Sequence, residues 1–197
     1  MKHKTKADNS TQVRIIGGQQ RGRLVQFCAI DGLRPTPDRL RETLFNWLMG
    51  HLLHARVLDV CAGSGVLAFE SLSRGADSAV LIEANPTQAR QLSKQAGQLG
   101  LSANTIIHTA YAQSVLPTLQ GTFDVIFIDP PYAQALWHML LDGLFNAQLL
   151  HSDSLIYVEA DKPLDNLSDD FALKIHKSTK VGPVSYTHLR AHETSLH

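Results

Sequence analysis

The sequence predicts an α/β protein built on a mostly parallel, seven-stranded sheet that ends in an antiparallel pair, with a small β-hairpin and helix in front. Three observations predict it. From Arg56 onward, short apolar runs of strand length alternate with longer amphipathic stretches, the signature of strand–helix–strand units. The first of these runs, 57–61, passes into a helix through Ala62-Gly63-Ser64-Gly65. A second run, 123–128, is apolar almost throughout, as strands buried on both faces are, and stops abruptly in Asp129-Pro130-Pro131-Tyr132.

The composition bounds the rest. A chain of 197 residues, 44% apolar and 18% charged, is one soluble globular domain with room for a small extension. No apolar run is long enough to cross a bilayer, and no apolar stretch backs the basic start Met1-Lys2-His3-Lys4-Thr5-Lys6, so neither a membrane span nor a signal peptide is expected. The two cysteines, Cys28 and Cys61, suggest no disulfide framework, and no Cys/His spacing suits a metal, so a reducing cytoplasm is the default. The net charge of zero hides an asymmetry. Residues 1–41 carry nine Lys/Arg against Asp8, Asp31 and Asp38, and the remainder is acidic by the same margin. A basic front on an acidic body points to a polyanionic partner.

In chain order, residues 1–12 read as a disordered basic tail and 13–50 as a nucleic-acid-binding extension. Arg14-Ile15-Ile16, Gly17-Gly18 and Arg21-Gly22-Arg23-Leu24-Val25 form a short hairpin whose arginines can track phosphates, the glycines letting the backbone come close. A loop, Leu33-Arg34-Pro35-Thr36-Pro37, leads into a helix over 39–48, capped by Thr36 or Asp38. Leu40, Leu44, Phe45 (or Trp47) and Leu48 form its core face, and Arg34, Arg39 and Arg41 are more basic than packing requires.

The body, 51–186, begins with the strand 57–61 and the helix 66–74, whose glycine loop lets a ligand sit against backbone and helix N-terminus. The strand 79–83 ends in Glu83, 18 residues after Gly65, where an acid can take both hydroxyls of a ribose. The third glycine of the dinucleotide fingerprint is replaced by Ala68, yet Asp59 before the loop and Glu83 after it favour an adenosine-containing ligand. A helix over 86–99 closed by Gly100 and a strand over 105–108 follow, then Tyr111-Ala112, where an adenine can lie, and a short helix over 114–119. A helix over 135–145 holds Trp137, Met139 and Leu140 as core; the strand 155–159 ends in Glu159, read as a surface acid; 171–177 and 184–187 form the last two strands. Residues 187–197 are polar, His-rich and aperiodic and are set apart as a non-native tail.

The Asp-Pro-Pro-Tyr stretch carries the chemistry. Two successive prolines cannot donate to a sheet ladder and hold the backbone extended and stiff, leaving free carbonyls between a carboxylate and an aromatic ring. An exocyclic amino nitrogen on a base is a poor nucleophile because its lone pair is delocalised into the ring. Acceptors at both N–H groups, the Asp129 carboxylate and the Pro130 carbonyl, direct that lone pair at a methyl donor. Tyr132 can stack on a base taken out of its helix. Read blandly, the same residues are a strand end and a rigid turn.

Asp59-x-Cys61-x-Gly63-x-Gly65, Glu83 and Asp129-Pro130-Pro131-Tyr132, in that order, resemble the class I S-adenosylmethionine-dependent methyltransferases with a Rossmann-like fold. The front, Arg14 to Gly18, Arg21-Gly22-Arg23 and Leu33 to Leu48, is similar to the RsmD family, which methylates N2 of one guanine, the 966 site, in bacterial 16S ribosomal RNA. The resemblance runs from about Val13 to Tyr186. It implies S-adenosyl-L-methionine held by Asp59, Cys61, Ala62, Gly63, Ser64, Gly65, Glu83, Ala84, Tyr111, Ala112 and Asp129. It implies a catalytic box of Asp129, Pro130, Pro131 and Tyr132, an RNA grip made by Arg14, Arg21, Arg23, Arg34, Arg39 and Arg41, and no metal. Tyr111 stands where relatives carry Asp or Asn, and Cys61 where an aromatic is common. The expected protein is a monomeric cytoplasmic methyltransferase acting on 16S rRNA, the small ribosomal subunit or its assembly intermediate. Its rivals are a DNA adenine-N6 or cytosine-N4 methyltransferase and a non-catalytic RNA-binding assembly factor.

Overall fold

The computed structural model describes residues 11–30, 33, 35–130, 136–160, 170–171, 173–181 and 184–190. Its main sheet has seven strands in the order β5-β4-β3-β6-β7-β9-β8. These are β3 (Arg56–Asp59), β4 (Ser78–Ile82), β5 (Thr105–His108), β6 (Val125–Ile128), β7 (Leu155–Ala160), β8 (Lys174–Val181) and β9 (Val184–Arg190). β3 to β7 run parallel; β9 is antiparallel to both β7 and β8. The chain starts in the middle at β3, steps outward to β4 and β5, then returns to lay β6 against the other side of β3. Such a reversal opens a crevice beyond the carboxyl ends of β3 and β6, where open α/β sheets bind ligands.

Helices cover both faces, so the central strands are buried throughout. On one face lie α1 (Asp38–Trp47), α2 (Val66–Ser73) and α3 (Pro86–Leu99); on the other lie α4 (Ala112–Val115) and α5 (Trp137–Asn146). Alternation along each strand sorts the side chains: Val57, Leu81, Phe127 and Tyr157 join the first cluster, Leu58, Val80, Ile126 and Val158 the second. α3 is capped at both ends as its sequence dictates. Asn85 accepts hydrogen bonds from the Thr87 and Gln88 N–H groups, Pro86 occupies the first turn, and Gly100 closes the helix at φ 73°.

The front of the chain is not a separate module. β1 (Gln12–Arg14) pairs antiparallel with β2 (Leu24–Gln26), and Val13, Ile15, Val25 and Phe27 share one hydrophobic cluster with α1, α2, α3 and the sheet. Polar side chains of α2 and α3 clamp it. Ile16 N–H donates to the Glu70 carboxylate (2.8 Å), Gln20 N–H to Ser73 Oγ (2.8 Å) and Gln19 N–H to the Ser73 carbonyl (2.7 Å). From α3, Gln95 and Gln88 accept the N–H groups of Gln26 and Cys28 (both 2.9 Å), and Gln91 donates to the Gln26 carbonyl (3.1 Å). Three glutamines spaced along one helix face thus do for β2 what a neighbouring strand would do.

Several expectations are corrected here. The helix α1 begins at Asp38 with no side-chain cap, because the capping position is Pro37, whose ring has no acceptor; Asp38, inside the first turn, pairs with Arg41. Gly17-Gly18 approach the end of α2 rather than a phosphate: a Cβ on Gly18 would lie 1.9 Å from the Ser73 carbonyl oxygen. Met139, expected in the core, is 38% exposed, while Glu159, expected at the surface, is buried. The tail boundaries move at both ends. Thr11 accepts a hydrogen bond from Phe27 N–H and Gln12 opens β1. β9 runs on to Arg190 in register with β7, so 187–190 belong to the sheet and Thr187 is buried.

Candidate active site

The site is assembled where β3, β4, β6 and β7 end. Asp59 closes β3, Glu83 follows β4, Asp129 follows β6 and Glu159 lies near the end of β7. The register pairs Asp59 with Phe127 and Leu81, and Phe127 with Tyr157, so alternation brings all four carboxylates to the same face of the sheet. That is the face covered by α1 and the N-terminal hairpin. Beneath them Phe45 of α1, Phe127 and Tyr157 pack as a tilted and then an edge-on aromatic pair, with centroids 6.4 and 6.1 Å apart.

The loop from Cys61 to Gly65 is a tight turn in which Gly65 N–H donates to the Ala62 carbonyl (2.7 Å). Gly63 and Gly65 have φ of 49° and 75°, the left-handed region open to glycine. Their roles differ. A Cβ on Gly63 would meet the Cys61 carbonyl oxygen and the Leu33 side chain at 3.9 Å, ordinary contact without collision, whereas a Cβ on Gly65 would strike Leu92 at 2.5 Å and Phe69 at 2.8 Å. Gly65 is needed for helix packing, whereas Gly63 is free of any such collision. Ser64 is buried, and Val66 N–H donates to its hydroxyl (3.4 Å).

Each carboxylate has its own setting. Asp59 is buried, which pushes its carboxyl up to about 7; the charge of Glu83 adds to this, while hydrogen bonds from the backbone of Cys61 and Ala68 oppose it. Burial also raises Glu83, against the pull of the Asn85 and Gly63 N–H groups, which donate to its two oxygens at 2.8 and 3.0 Å. Each Glu83 oxygen retains a lone pair for a hydroxyl. Asp129 is raised well above the ordinary carboxyl value by burial first, then by Glu159 and Asp59. Burial and the charges of Asp59, Asp129 and Glu83 push the Cys61 thiol up, so it is an inert, half-buried neighbour, not a nucleophile. Carboxylates crowded and desolvated in this way suit a ligand that carries positive charge and hydroxyl groups.

Of the other expected cofactor residues, Ala62 and Ala112 are buried, Ala84 is exposed, and Tyr111 stands at the start of α4 with 67% of its surface accessible. Pro130 is buried directly after Asp129; Pro131 and Tyr132 lie outside the described residues. Among the described residues no group of three or more His, Cys, Asp or Glu is arranged to hold a metal ion.

The basic residues divide. Arg14, Arg21 and Arg39 are exposed; Arg23 is exposed but donates to the Gln98 carbonyl (2.7 Å); Arg34 lies outside the described residues. Arg41 does not fit the expected RNA grip. It is fully buried, donates to the Thr36 carbonyl (3.1 Å), and pairs with Asp38 (2.6 Å) and Glu70 (3.4 Å). Glu70, also fully buried, receives Arg74 on its other oxygen (2.8 Å). Sequence reading missed Glu70 and Gln88. Gln88 donates to the Gly63 carbonyl (2.5 Å) while accepting Cys28 N–H, so it joins the front to the glycine loop. A polar side chain at a helix position otherwise facing the core was the signal available for both.

Fold and site together define a class I methyltransferase. The family profile described as "Conserved hypothetical protein 95" matches residues 13–190. Two relatives named ribosomal RNA small subunit methyltransferase D align with most of the chain. One, from Escherichia coli K12, is 38% identical over 90% of this chain and 89% of its own length. The other, from Haemophilus influenzae, is 41% identical over 89% and 92%. A solved Escherichia coli structure, provisionally named a methyltransferase, superposes with a TM-score of 0.79 at 36% identity, covering 92% of this chain and 99% of that one. A precorrin-6y C5,15-methyltransferase from Geobacter metallireducens, 17% identical with a TM-score of 0.68 over 85% of this chain and 94% of its own, shares the fold. The chain belongs to the RsmD family.

Proposed function

We propose that this protein transfers a methyl group from S-adenosyl-L-methionine to the exocyclic N2 amino group of a guanine in 16S rRNA, at the 966 site, on the small ribosomal subunit or its assembly intermediate. The observation that carries this reading is Asp129-Pro130 at the end of β6, beside Asp59 at the end of β3, in the crevice where the strand order reverses. When bound, the cofactor supplies an activated methyl on a sulfonium, so orientation and desolvation account for most of the acceleration.

The chain's residues divide that work. Gly63 leaves space for the methionine end, Asp59 offers it negative charge, and Glu83 accepts ribose hydroxyls. The Tyr111-Ala112 corner meets the adenine, Ala112 from the buried side. The Asp129 carboxylate and the Pro130 carbonyl accept the two N–H groups of the guanine amino nitrogen and aim its lone pair. On accepting the methyl group the amino nitrogen would shed one proton. Asp129, its carboxyl raised well above the ordinary value by burial and then by Glu159, is placed to receive it and pass it to water. Arg14, Arg21, Arg23, Arg34 and Arg39 hold rRNA phosphates around the site, and the protein works as a monomer in the cytoplasm.

The test is to incubate the protein, beside Asp129→Ala, with radiolabelled cofactor and small subunits lacking the modification, and to map the labelled nucleotide. Label on guanine N2, reduced by about 10²-fold or more in the variant, is expected. Label on duplex DNA but not rRNA would replace this reading with a DNA amino-methyltransferase, and absence of both label and cofactor binding would replace it with a binding factor.

A further inference from the structure

Glu159 has the position of a second substrate-side acid. β6 and β7 pair in parallel register through Ile128 and Val158, and the next residue on each is Asp129 and Glu159, which alternation puts on the same face. The side chain is held from below: Tyr157, two residues earlier on the same face, places its hydroxyl 3.3 Å from Glu159 Oε2. The backbone is held too, since Trp137 Nε1 of α5 donates to the Glu159 carbonyl (2.8 Å). Only 6% of the residue is exposed, and its charge reaches Asp129, where it is the second cause of the upward shift after burial. Placing a buried carboxylate beside the half-buried Asp129 is costly, and packing alone would be served by an apolar residue.

The chemistry of the base shows what such a pair can do. The edge of guanine that carries the amino group presents two adjacent donors, N1–H and N2–H. Adenine and cytosine present a ring-nitrogen lone pair next to their amino group. Two neighbouring carboxylates, once both are ionised as donors aimed at them favour, only accept; they match the first pattern and repel the second. Resting on the guanine-N2 reading above, we propose that Glu159 accepts the N1–H of the target guanine while Asp129 accepts an N2–H, and that Glu159 thereby selects guanine over other aminopurines. A site built to bind an N–H leaves a buried acceptor unpaired against an analogue without it, and such sites discriminate strongly.

The test uses the full chain and small subunits reassembled with either guanosine or 2-aminopurine riboside at the target position. The analogue keeps the amino group but bears a lone pair at N1. Single-turnover rates should favour guanosine by about 10²-fold or more in the wild type. Glu159→Gln, whose amide meets either an N1–H or an N1 lone pair, should bring the two rates within about tenfold, mainly by gaining on the analogue. Affinity for S-adenosylhomocysteine and the thermal midpoint, measured on the same samples, check that the variant is folded. A Glu159→Gln protein that methylates guanosine with the wild-type preference intact overturns the proposal. So do equal wild-type rates on the two bases, a measurement that needs no variant. If the wild type labels no RNA, the guanine-N2 reading itself falls, and that outcome is separate from both.

Discussion

Asp59 shows how one residue ties the site to pH. Its carboxyl, pushed to about 7 by burial and then by Glu83, binds a proton in the folded protein that the unfolded chain releases near 4. The folded state therefore holds more protons in this window, and the stability linked to Asp59 is full below about pH 4 and is lost as pH rises through about 7. A cationic ligand reverses the preference by drawing the proton off. Calorimetric affinity for S-adenosylmethionine should rise between about pH 6 and pH 8, approaching tenfold per unit on the acid side, and Asp59→Asn should flatten that dependence. Gly65 makes a steric prediction. At φ 75°, with Leu92 and Phe69 inside contact distance of any Cβ, Gly65→Ala should lower stability by more than about 1 kcal/mol in urea unfolding. Gly63→Ala, strained in backbone but free of collision, should cost less stability and more cofactor affinity.

At the scale of elements, α1 and α2 are joined by a buried charge network that the sequence hides inside a basic motif. Arg41 pairs with Glu70, which also binds Arg74 and the Ile16 N–H. Removing one partner leaves a buried charge uncompensated. Glu70→Ala should therefore destabilise by about 3–5 kcal/mol in denaturant unfolding, and the apolar double variant Arg41→Met/Glu70→Met should recover much of that loss. The glutamines of α3 work in the same direction with neutral groups, closing the free edge of β2 and, through Gln88, fixing the Gly63 carbonyl. The front is thus built into the catalytic body, and its loop reaches the site: the Leu33 side chain is among the nearest atoms to Gly63.

For the whole molecule, the separation of a basic front from an acidic body makes binding to a polyanion depend on salt. Each phosphate contact on single-stranded RNA adds about 0.7 to the slope of log affinity against log salt. Replacing the exposed Arg14, Arg21 and Arg39 together with Gln should make that slope shallower by about 2, measured by fluorescence anisotropy on an rRNA fragment. Replacing Arg41, which is fully buried, should act through unfolding and leave the slope of the surviving folded fraction unchanged.

The sequence by itself determined the α/β architecture, the sheet of parallel strands with its antiparallel end, and the motif order Asp59, Gly63, Gly65, Glu83, Asp129. These are properties of local pattern: periodicity sets helix or strand, Gly sets a left-handed turn, and a strand's last residue marks the carboxyl edge where ligands sit. Tertiary structure alone decided which polar residues serve the fold and which remain available. Arg41 and Arg39 are two residues apart in one basic stretch, yet one is fully buried and the other exposed. Glu159 read as a surface acid until the pairing of β6 with β7 set it beside Asp129. The cost of burying a charge, and the partner that offsets it, depend on distant residues, as with Arg41 and Glu70, 29 positions apart. No window of local sequence contains both members of such a pair, so burial and partnership became visible only once the chain had folded.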